Sequence, residues 1–132
     1  MSIFSDIENA LSAYTNLLGM PTAWQNTLFE PTLGTLYIRP SLLPAKTQPL
    51  VMSDYATDKH SGIYQIDIIA PVDQGRRLAV VKADEIADHF QRGTDLNSGS
   101  TTTTVMSVSR GVGIRDGAWF VIPVEINFIA YT

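Results

Sequence analysis

The segment that most restricts the fold is residues 119–132, in which apolar side chains occupy every second position. Successive side chains of a β-strand point to opposite faces, so this alternation predicts one long strand. Its wholly apolar face carries Phe120, Ile122, Val124, Ile126, Phe128 and Ala130. The other face is mixed and still includes Val121, Ile129 and Tyr131. The predicted strand is far longer than the usual five or six residues or so.

Pro123 lies inside this predicted strand, and proline has no N–H to donate to a sheet. Its position predicts either an edge strand or a β-bulge. An edge strand with apolar residues on both faces invites aggregation unless a partner covers it. The segment therefore indicates a subunit or partner interface. Its candidate residues are Trp119, Val121, Ile129 and Tyr131, with Arg110 and Arg115 preceding them.

Apolar residues at helical spacing predict two helices, at about residues 3–18 and 74–92. The first carries its apolar face on Ile3, Ile7, Leu11, Tyr14 and Leu18. The second carries it on Ala79, Ala83, Ile86 and Phe90. Gly19 and Gly93 follow the two segments and are expected to end the helices.

Further strands are predicted at residues 24–27, 34–39, 62–70 and about 102–110. Pro40 is expected to end the second of these, because proline cannot donate to a ladder. Asp116-Gly117 predicts a hairpin turn before the last strand. The segments 41–61 and 95–104 lack an apolar period and are predicted to be loops, mobile in the free subunit.

The predicted elements give an α+β fold in one domain spanning residues 1–132. Its sheet is mixed and mostly antiparallel, both helices pack on one face, and the C-terminal strand is long. At 132 residues without cysteine, the chain is large enough to bury a core without disulfides. The start MSIFSDIENA resembles no signal peptide, and no segment approaches the roughly 20 apolar residues of a membrane span.

The net charge of −4 argues against a protein that binds nucleic acid electrostatically. Charged residues make up 17% of the chain, against about 25% in a typical soluble domain. This deficit fits a surface buried against other subunits, and it fits a surface rich in Thr, Ser and Asn equally well.

No catalytic, cofactor or metal site is predicted. Glu85 and His89 stand one helical turn apart, but a zinc hydrolase helix needs a second His. His60 lies near Asp54 and Asp58 without the spacing of a known cation loop. The glycines of GVGIRDG (residues 111–117) precede a strand, whereas a phosphate-binding loop precedes a helix. They are better explained as residues that allow the backbone of a hairpin to twist.

Three segments resemble one protein family. YIRPSLLPA (residues 37–45), GIYQIDIIAPVDQG (62–75) and ADEIADHFQRGTDL (83–96) are similar to the tail terminator proteins of long-tailed bacteriophages and prophages. The opening helix and the closing GAWFVIPVEINFIAYT fit the same pattern. The resemblance implies a small α+β domain with a mixed sheet flanked by helices, and a structural rather than enzymatic protein.

The same resemblance implies a homo-oligomeric ring, most simply a hexamer, on the head-proximal end of the tail tube. Such a ring stops tube polymerisation and provides the surface to which the filled head attaches. The implied partners are the major tail tube protein and the head–tail connector or neck proteins, and DNA passes through the pore without specific binding. The implied location is the virion tail, after assembly in the host cytoplasm. The alternatives are a head–tail joining (neck) protein and a small-molecule-binding or enzymatic α+β domain.

Overall fold

The computed structural model describes residues 3–24, 35–49, 58–72, 76–99 and 101–131. Its elements are α1 (Ile3–Asn16), β1 (Tyr37–Pro49), β2 (Asp58–Pro71), α2 (Arg76–His89), β3 (Asp95–Ser98), β4 (Thr101–Arg110), β5 (Ile114–Asp116) and β6 (Trp119–Tyr131). The strands form one sheet in the order β1-β2-β6-β4-β3, with β5 also paired to β6. These strand pairs are antiparallel, and an isolated parallel bridge joins Thr22 to Ile38. The predicted α+β fold is confirmed.

Both helices pack on the same face of the sheet because each buries its predicted apolar stripe there. Ile7 and Leu11 of α1 are fully buried, as are Ile86 and Phe90 of α2. They join one core cluster with alternate residues of β2 and β6. The sheet contributes Tyr64, Ile66, Ile68, Ala70, Ile122, Val124, Ile126, Phe128 and Ala130 to that cluster. Gly19, with a φ of 70°, follows α1 and adopts the left-handed conformation that ends helices.

The long C-terminal strand is central in the sheet, so the predicted edge position is wrong. β6 pairs with β2 on one side and with β4 and β5 on the other. Pro123 is tolerated because its ring nitrogen faces the gap between β4 and β5, where neither strand pairs with β6. The N–H of Gly111 donates to the Pro123 carbonyl (2.8 Å), and the N and O of one strand residue point to the same side. That side is where β4 has ended and β5 has not begun, so no ladder bond needs a proline N–H.

The predicted loop at 41–61 is also wrong where the structure describes it. β1 continues through Pro40 to Pro49 and pairs with β2, which starts at Asp58, with a register shift between Pro44 and Lys46. The prolines are compatible because β1 is an edge strand. Ile38 bonds outward to Pro21 and Ala23, so Pro40, two residues on, also turns its nitrogen away from β2.

The polar segment 95–104, predicted to be a loop, forms the β3–β4 hairpin. Asp95 pairs with Thr104 and Asn97 with Thr102, and each pair is joined by a side-chain hydrogen bond. The Thr104 hydroxyl donates to Asp95 Oδ1 (2.6 Å), and that of Thr102 donates to Asn97 Oδ1 (2.7 Å). Cross-strand pairs of this kind stabilise strands that lack an apolar alternation. Gly99 has a φ of 59°, which suits it to the turn between them.

Other predicted boundaries differ by a few residues or fall outside the described part of the chain. The helices end at Asn16 and His89, before the predicted limits. The hairpin at Asp116-Gly117 is confirmed, with a φ of 61° at Gly117. Of the strand predicted at 24–27, Trp24 is described and lies outside the strands, while 25–27 lie outside the described residues. Residues 50–57 of the predicted long loop also lie outside them.

Candidate functional site on the helix-free face of the sheet

The face of the sheet opposite α1 and α2 is covered by no described element and forms the candidate site. We call it the open face. Side chains alternate between the two faces of a strand, so the open face is built from the residues between the core positions. Across β1, β2, β6 and β4 these include Tyr37, Arg39, Leu43, Ile63, Gln65, Asp67, Trp119, Val121, Glu125, Asn127, Ile129, Tyr131, Thr104 and Ser107.

One end of the open face is aromatic. The Tyr37 and Trp119 rings meet edge to face, with centroids 5.6 Å apart and planes at 82°. Val121 lies next to them, paired with Ile69 of β2 and Ile114 of β5. Aromatic pairs with this geometry add about 0.5–1.5 kcal/mol to the burial of their surface. The end is therefore a fixed apolar platform.

A polar band crosses the middle of the open face. Arg39 Nη2 donates to Asp67 Oδ2 (3.1 Å), and Gln65 Nε2 donates to Asp67 Oδ1 (2.8 Å). The Asp67 side chain is 13% exposed and that of Arg39 52%, so the carboxylate is sheltered while the guanidinium reaches solvent. Farther along, Asn127 Nδ2 donates to the Ser107 hydroxyl (2.9 Å). These bonds hold the polar groups of the band in fixed positions.

The other end of the open face is apolar again. Ile63 lies across from Leu43 of β1, and Ile129 lies between Ser61 and Thr104. Leu43 is 49% exposed and Tyr131 44%. Leu43 on β1 and Tyr131 on β6 are not neighbours, so each adds a separate apolar side chain to this end. The face thus has two apolar ends separated by a polar band.

The six residues predicted as an interface do not all lie together. Trp119 and Val121 lie at the aromatic end of the open face, and Ile129 and Tyr131 at the other apolar end. Arg110 is opposite the core residue Val124 and pairs with Asp84 of α2. It therefore lies on the helix side.

Arg115 is opposite Phe120 in the β5–β6 pair. Phe120 is on the core face of β6, so Arg115 also lies on the helix side. Sequence reasoning missed Tyr37, Leu43 and Ile63. Tyr37 and Ile63 lie in predicted strands but were not among the interface candidates, whereas Leu43 lies beyond Pro40, where no strand was predicted.

The residues considered as metal ligands are used structurally. His89 Nε2 lies 2.7 Å from the carbonyl oxygen of Tyr14, and the two rings stack at 3.9 Å. His60 is buried in β2 opposite Ala130, so the loop predicted around it is a strand; Asp54 lies outside the described residues. Within the described ranges, no group of three or more His, Cys, Asp or Glu residues is placed to hold a metal ion.

Tyr64 is a buried polar side chain between α1 and the sheet. Its hydroxyl lies 3.1 Å from that of Thr15, beside a cavity of about 60 Å³ that Glu8, Ser12 and Trp24 also line. Burial raises the pKa of the Tyr64 phenol above its ordinary value, and hydrogen bonds with Thr15 and Ser12 oppose this only in part. The phenol therefore stays neutral and serves packing.

In the described part of the chain, no helix is long and apolar enough to cross a membrane.

Comparisons with known proteins identify the family. No curated protein matches. One solved structure matches with a TM-score of 0.74 and 26% identity over 97% of this chain and 92% of its own. The sequence profile of the phage tail terminator proteins matches residues 2–128. With nearly its whole length matched, the chain belongs to the phage tail terminator protein family.

Proposed function

We propose that this structural phage tail protein forms a ring, most simply a hexamer, that caps the head-proximal end of the tail tube. The ring ends tube polymerisation and provides the surface to which the head attaches. The open face is the observation that carries the proposal. It presents two apolar ends and an ordered polar band on a rigid sheet, which suits a surface that is buried on assembly.

The physical basis is closure of a repeated contact. A head-to-tail contact between identical subunits gives a ring when its rotation closes. A tube grows because each added ring recreates the surface that recruits the next. A terminator matches the tube on one side and offers a different surface on the other, to the neck proteins. We propose that Trp119, Val121, Ile129 and Tyr131 belong to these contacts, in the virion tail and during assembly in the host cytoplasm.

Deleting the gene is the direct test. Tube initiation is expected to remain intact while polymerisation loses its stop, so electron microscopy of the lysate should show overlong tubes without DNA-filled heads. Headless tails of normal length would favour a neck protein instead. Infectious particles of normal appearance would contradict both functions.

A point substitution tests the surface itself. Ile129→Asp places a carboxylate on the open face, and burying an unpaired polar group costs about 2–7 kcal/mol. We expect a folded subunit that reproduces the deletion. Val81→Asp is the control, because Val81 is an exposed apolar residue (44%) on α2, away from the open face, whereas Ile129 is half-buried. Wild-type tails with Ile129→Asp would exclude the open face from the contacts.

A further inference from the structure

A small cavity lies on the helix side of the sheet, between α1 and the edge strand β1. Its volume is about 60 Å³, which about two water molecules occupy in the liquid. Glu8 at the cavity is exposed, Ser12 is half-buried and Tyr64 is 2% exposed. The cavity therefore leads from the surface of α1 to the buried Tyr64 hydroxyl. Its lining consists of Glu8, Ser12, Trp24, Pro40, Leu42 and Tyr64.

Two of the polar groups at the cavity can only accept hydrogen bonds. The Thr15 hydroxyl donates its one hydrogen to the Leu11 carbonyl (2.8 Å), so in its 3.1 Å contact with Tyr64 the phenol donates. The Tyr64 oxygen then has only lone pairs left for other groups. An ionised Glu8 carboxylate also accepts without donating, and the Ser12 hydroxyl can do either. A ligand that satisfies these groups must donate hydrogen bonds.

The charge of the cavity is negative. Glu8 is acidic, and none of the described lining residues is basic. Within the described ranges, no ion pair involves Glu8. Burial is the main cause of the raised pKa of Tyr64, and the negative charge of Glu8 adds to it, so the carboxylate lies close to the phenol. The cavity therefore attracts a cation and repels a phosphate or carboxylate.

The remaining walls suit an alkyl chain that ends in a cation. Pro40 and Leu42 of β1 are aliphatic, and Trp24 adds an indole. The face of an indole ring attracts cations. A lysine side chain covers apolar surface with its methylenes while its ammonium group stays among polar groups. That ammonium group has three hydrogens to donate and accepts none, which matches the acceptors of the cavity.

We propose that this cavity binds the terminal ammonium group of an alkyl chain, supplied by a lysine side chain of a partner protein in the tail. The ammonium group donates to the Glu8 carboxylate and to the Tyr64 oxygen. A volume of about two waters admits the ammonium group and its neighbouring methylene, so the rest of the chain extends outside. A side chain that reaches in from another protein has this form. The ammonium site stands independently of the ring, whereas the lysine as its source rests on the tail function proposed above.

A small amine tests the cavity on the isolated subunit. The chain has two tryptophans, so the full-length variant Trp119→Phe leaves Trp24 as its fluorescent indole. Titration with n-propylammonium chloride is expected to change the Trp24 fluorescence until it saturates. Uncharged n-propanol and sodium chloride, at the same concentrations, should not. If the variant folds poorly, the backbone amide shifts of Ser12 and Leu42 in nuclear magnetic resonance spectra of the unaltered protein give the same binding curve.

The variant Glu8→Gln separates the charge of the cavity from its shape. Glu8 is exposed, so the fold should be kept. We expect the dissociation constant for n-propylammonium to rise about tenfold or more, because a hydrogen bond between charged groups is lost. Glu85→Gln is the matched control, because it makes the same change of charge at an exposed position of α2. Absence of saturation, equal binding of n-propanol, or unchanged affinity in Glu8→Gln would each overturn the site.

Carbodiimide cross-linking of assembled tails tests the source of the amine. This reagent joins a carboxylate to a lysine amine without a spacer, so the two groups must be in contact. Mass spectrometry of tails that contain the protein should find Glu8 linked to a lysine of another chain. The isolated subunit should not give this link, and tails assembled with Glu8→Gln should lose it.

The results distinguish the ammonium site from the proposed tail function. A subunit that binds no amine overturns the site and leaves the tail function intact. Amine binding without a Glu8 link in tails that contain the protein overturns the lysine as the source. If deleting the gene leaves particles normal while the subunit still binds the amine, the tail function and the lysine source both fail and the ammonium site remains.

Discussion

At the scale of single residues, Tyr64 illustrates how the core accommodates a polar group. The side chain is 2% exposed, and its hydroxyl is bonded within the space between α1 and the sheet. Sequence alternation predicts that Tyr64 faces the core, since it shares a face with Ile66 and Ile68. It cannot predict the Thr15 partner, because that contact joins residues 49 positions apart in the chain.

We expect the free energy of unfolding to fall as the pH rises above about 10, the ordinary pKa of tyrosine. Burial raises the pKa of folded Tyr64, so above that pH the unfolded chain ionises first and is favoured. Below it, the full stabilisation is present. Tyr64→Phe should remove this part of the pH dependence and cost about 1 kcal/mol at neutral pH through the lost hydrogen bond.

Urea denaturation at several pH values, followed by circular dichroism, measures both effects. Tyr131→Phe is the control, because Tyr131 is 44% exposed and this variant should follow the parent protein. If Tyr64→Phe loses stability as steeply as the parent above pH 10 or so, burial of this phenol is not the cause.

At the scale of elements, the ends of the two helices are joined by reciprocal contacts. The Tyr14 hydroxyl donates to the His89 carbonyl, and His89 Nε2 donates to the Tyr14 carbonyl, each at 2.7 Å. The rings stack at an interplanar angle of 14°. Both carbonyls belong to the last turns of helices, where backbone acceptors lack their usual partners four residues on; that of Tyr14 also accepts the Leu17 N–H (3.2 Å). The contact therefore fixes the two helices relative to each other.

A double-mutant cycle should detect this contact. We expect Tyr14→Leu and His89→Ala to be less than additive, with a coupling of about 0.5–1.5 kcal/mol from the stacked rings. Tyr37→Leu combined with His89→Ala is the matched pair, because Tyr37 lies on the opposite face of the sheet, and its effects should add to within about 0.5 kcal/mol. Additivity in both pairs would show that the stacking contributes nothing.

An element could be predicted when its sequence pattern lies within one segment of the chain. The helices and the length of β6 follow from periodicity within one segment, so their existence was predictable. The position of β6 in the sheet was not, because it depends on which distant strands pair with it. Pro40 predicts a strand end, and Pro123 predicts a sheet edge or a β-bulge. They are tolerated because each turns its nitrogen to a side without a ladder partner, which the sequence does not encode locally.

At the scale of the whole molecule, charge predicts weak contact with DNA. The net charge is −4, and Arg39, Lys82 and Arg110 are engaged by acidic neighbours. Each phosphate contact by a free Lys or Arg would add salt-sensitive affinity. The open face would have been hard to foresee as one surface, since β1 continues beyond Pro40, where the strand was predicted to end, and since the order of the strands depends on distant pairing.

We expect no salt-sensitive DNA binding in an electrophoretic shift assay at physiological ionic strength. A variant carrying Asp84→Lys and Asp88→Lys adds basic charge to α2 and frees Arg110, so it should bind and release DNA as salt rises. Tight binding by the unaltered protein would contradict a pore through which DNA slides freely.

The central place of β6 has a consequence for the order in which the chain is made. Every other described element precedes β6, yet within the sheet β2 and β4 are joined only through it. A nascent chain that stops before Trp119 holds two separate hairpins, β1–β2 and β3–β4, with the middle of the sheet missing. The core cannot close during synthesis and must wait for the last strand. We therefore expect ribosomal products cut short before Trp119 to remain unfolded and open to proteolysis.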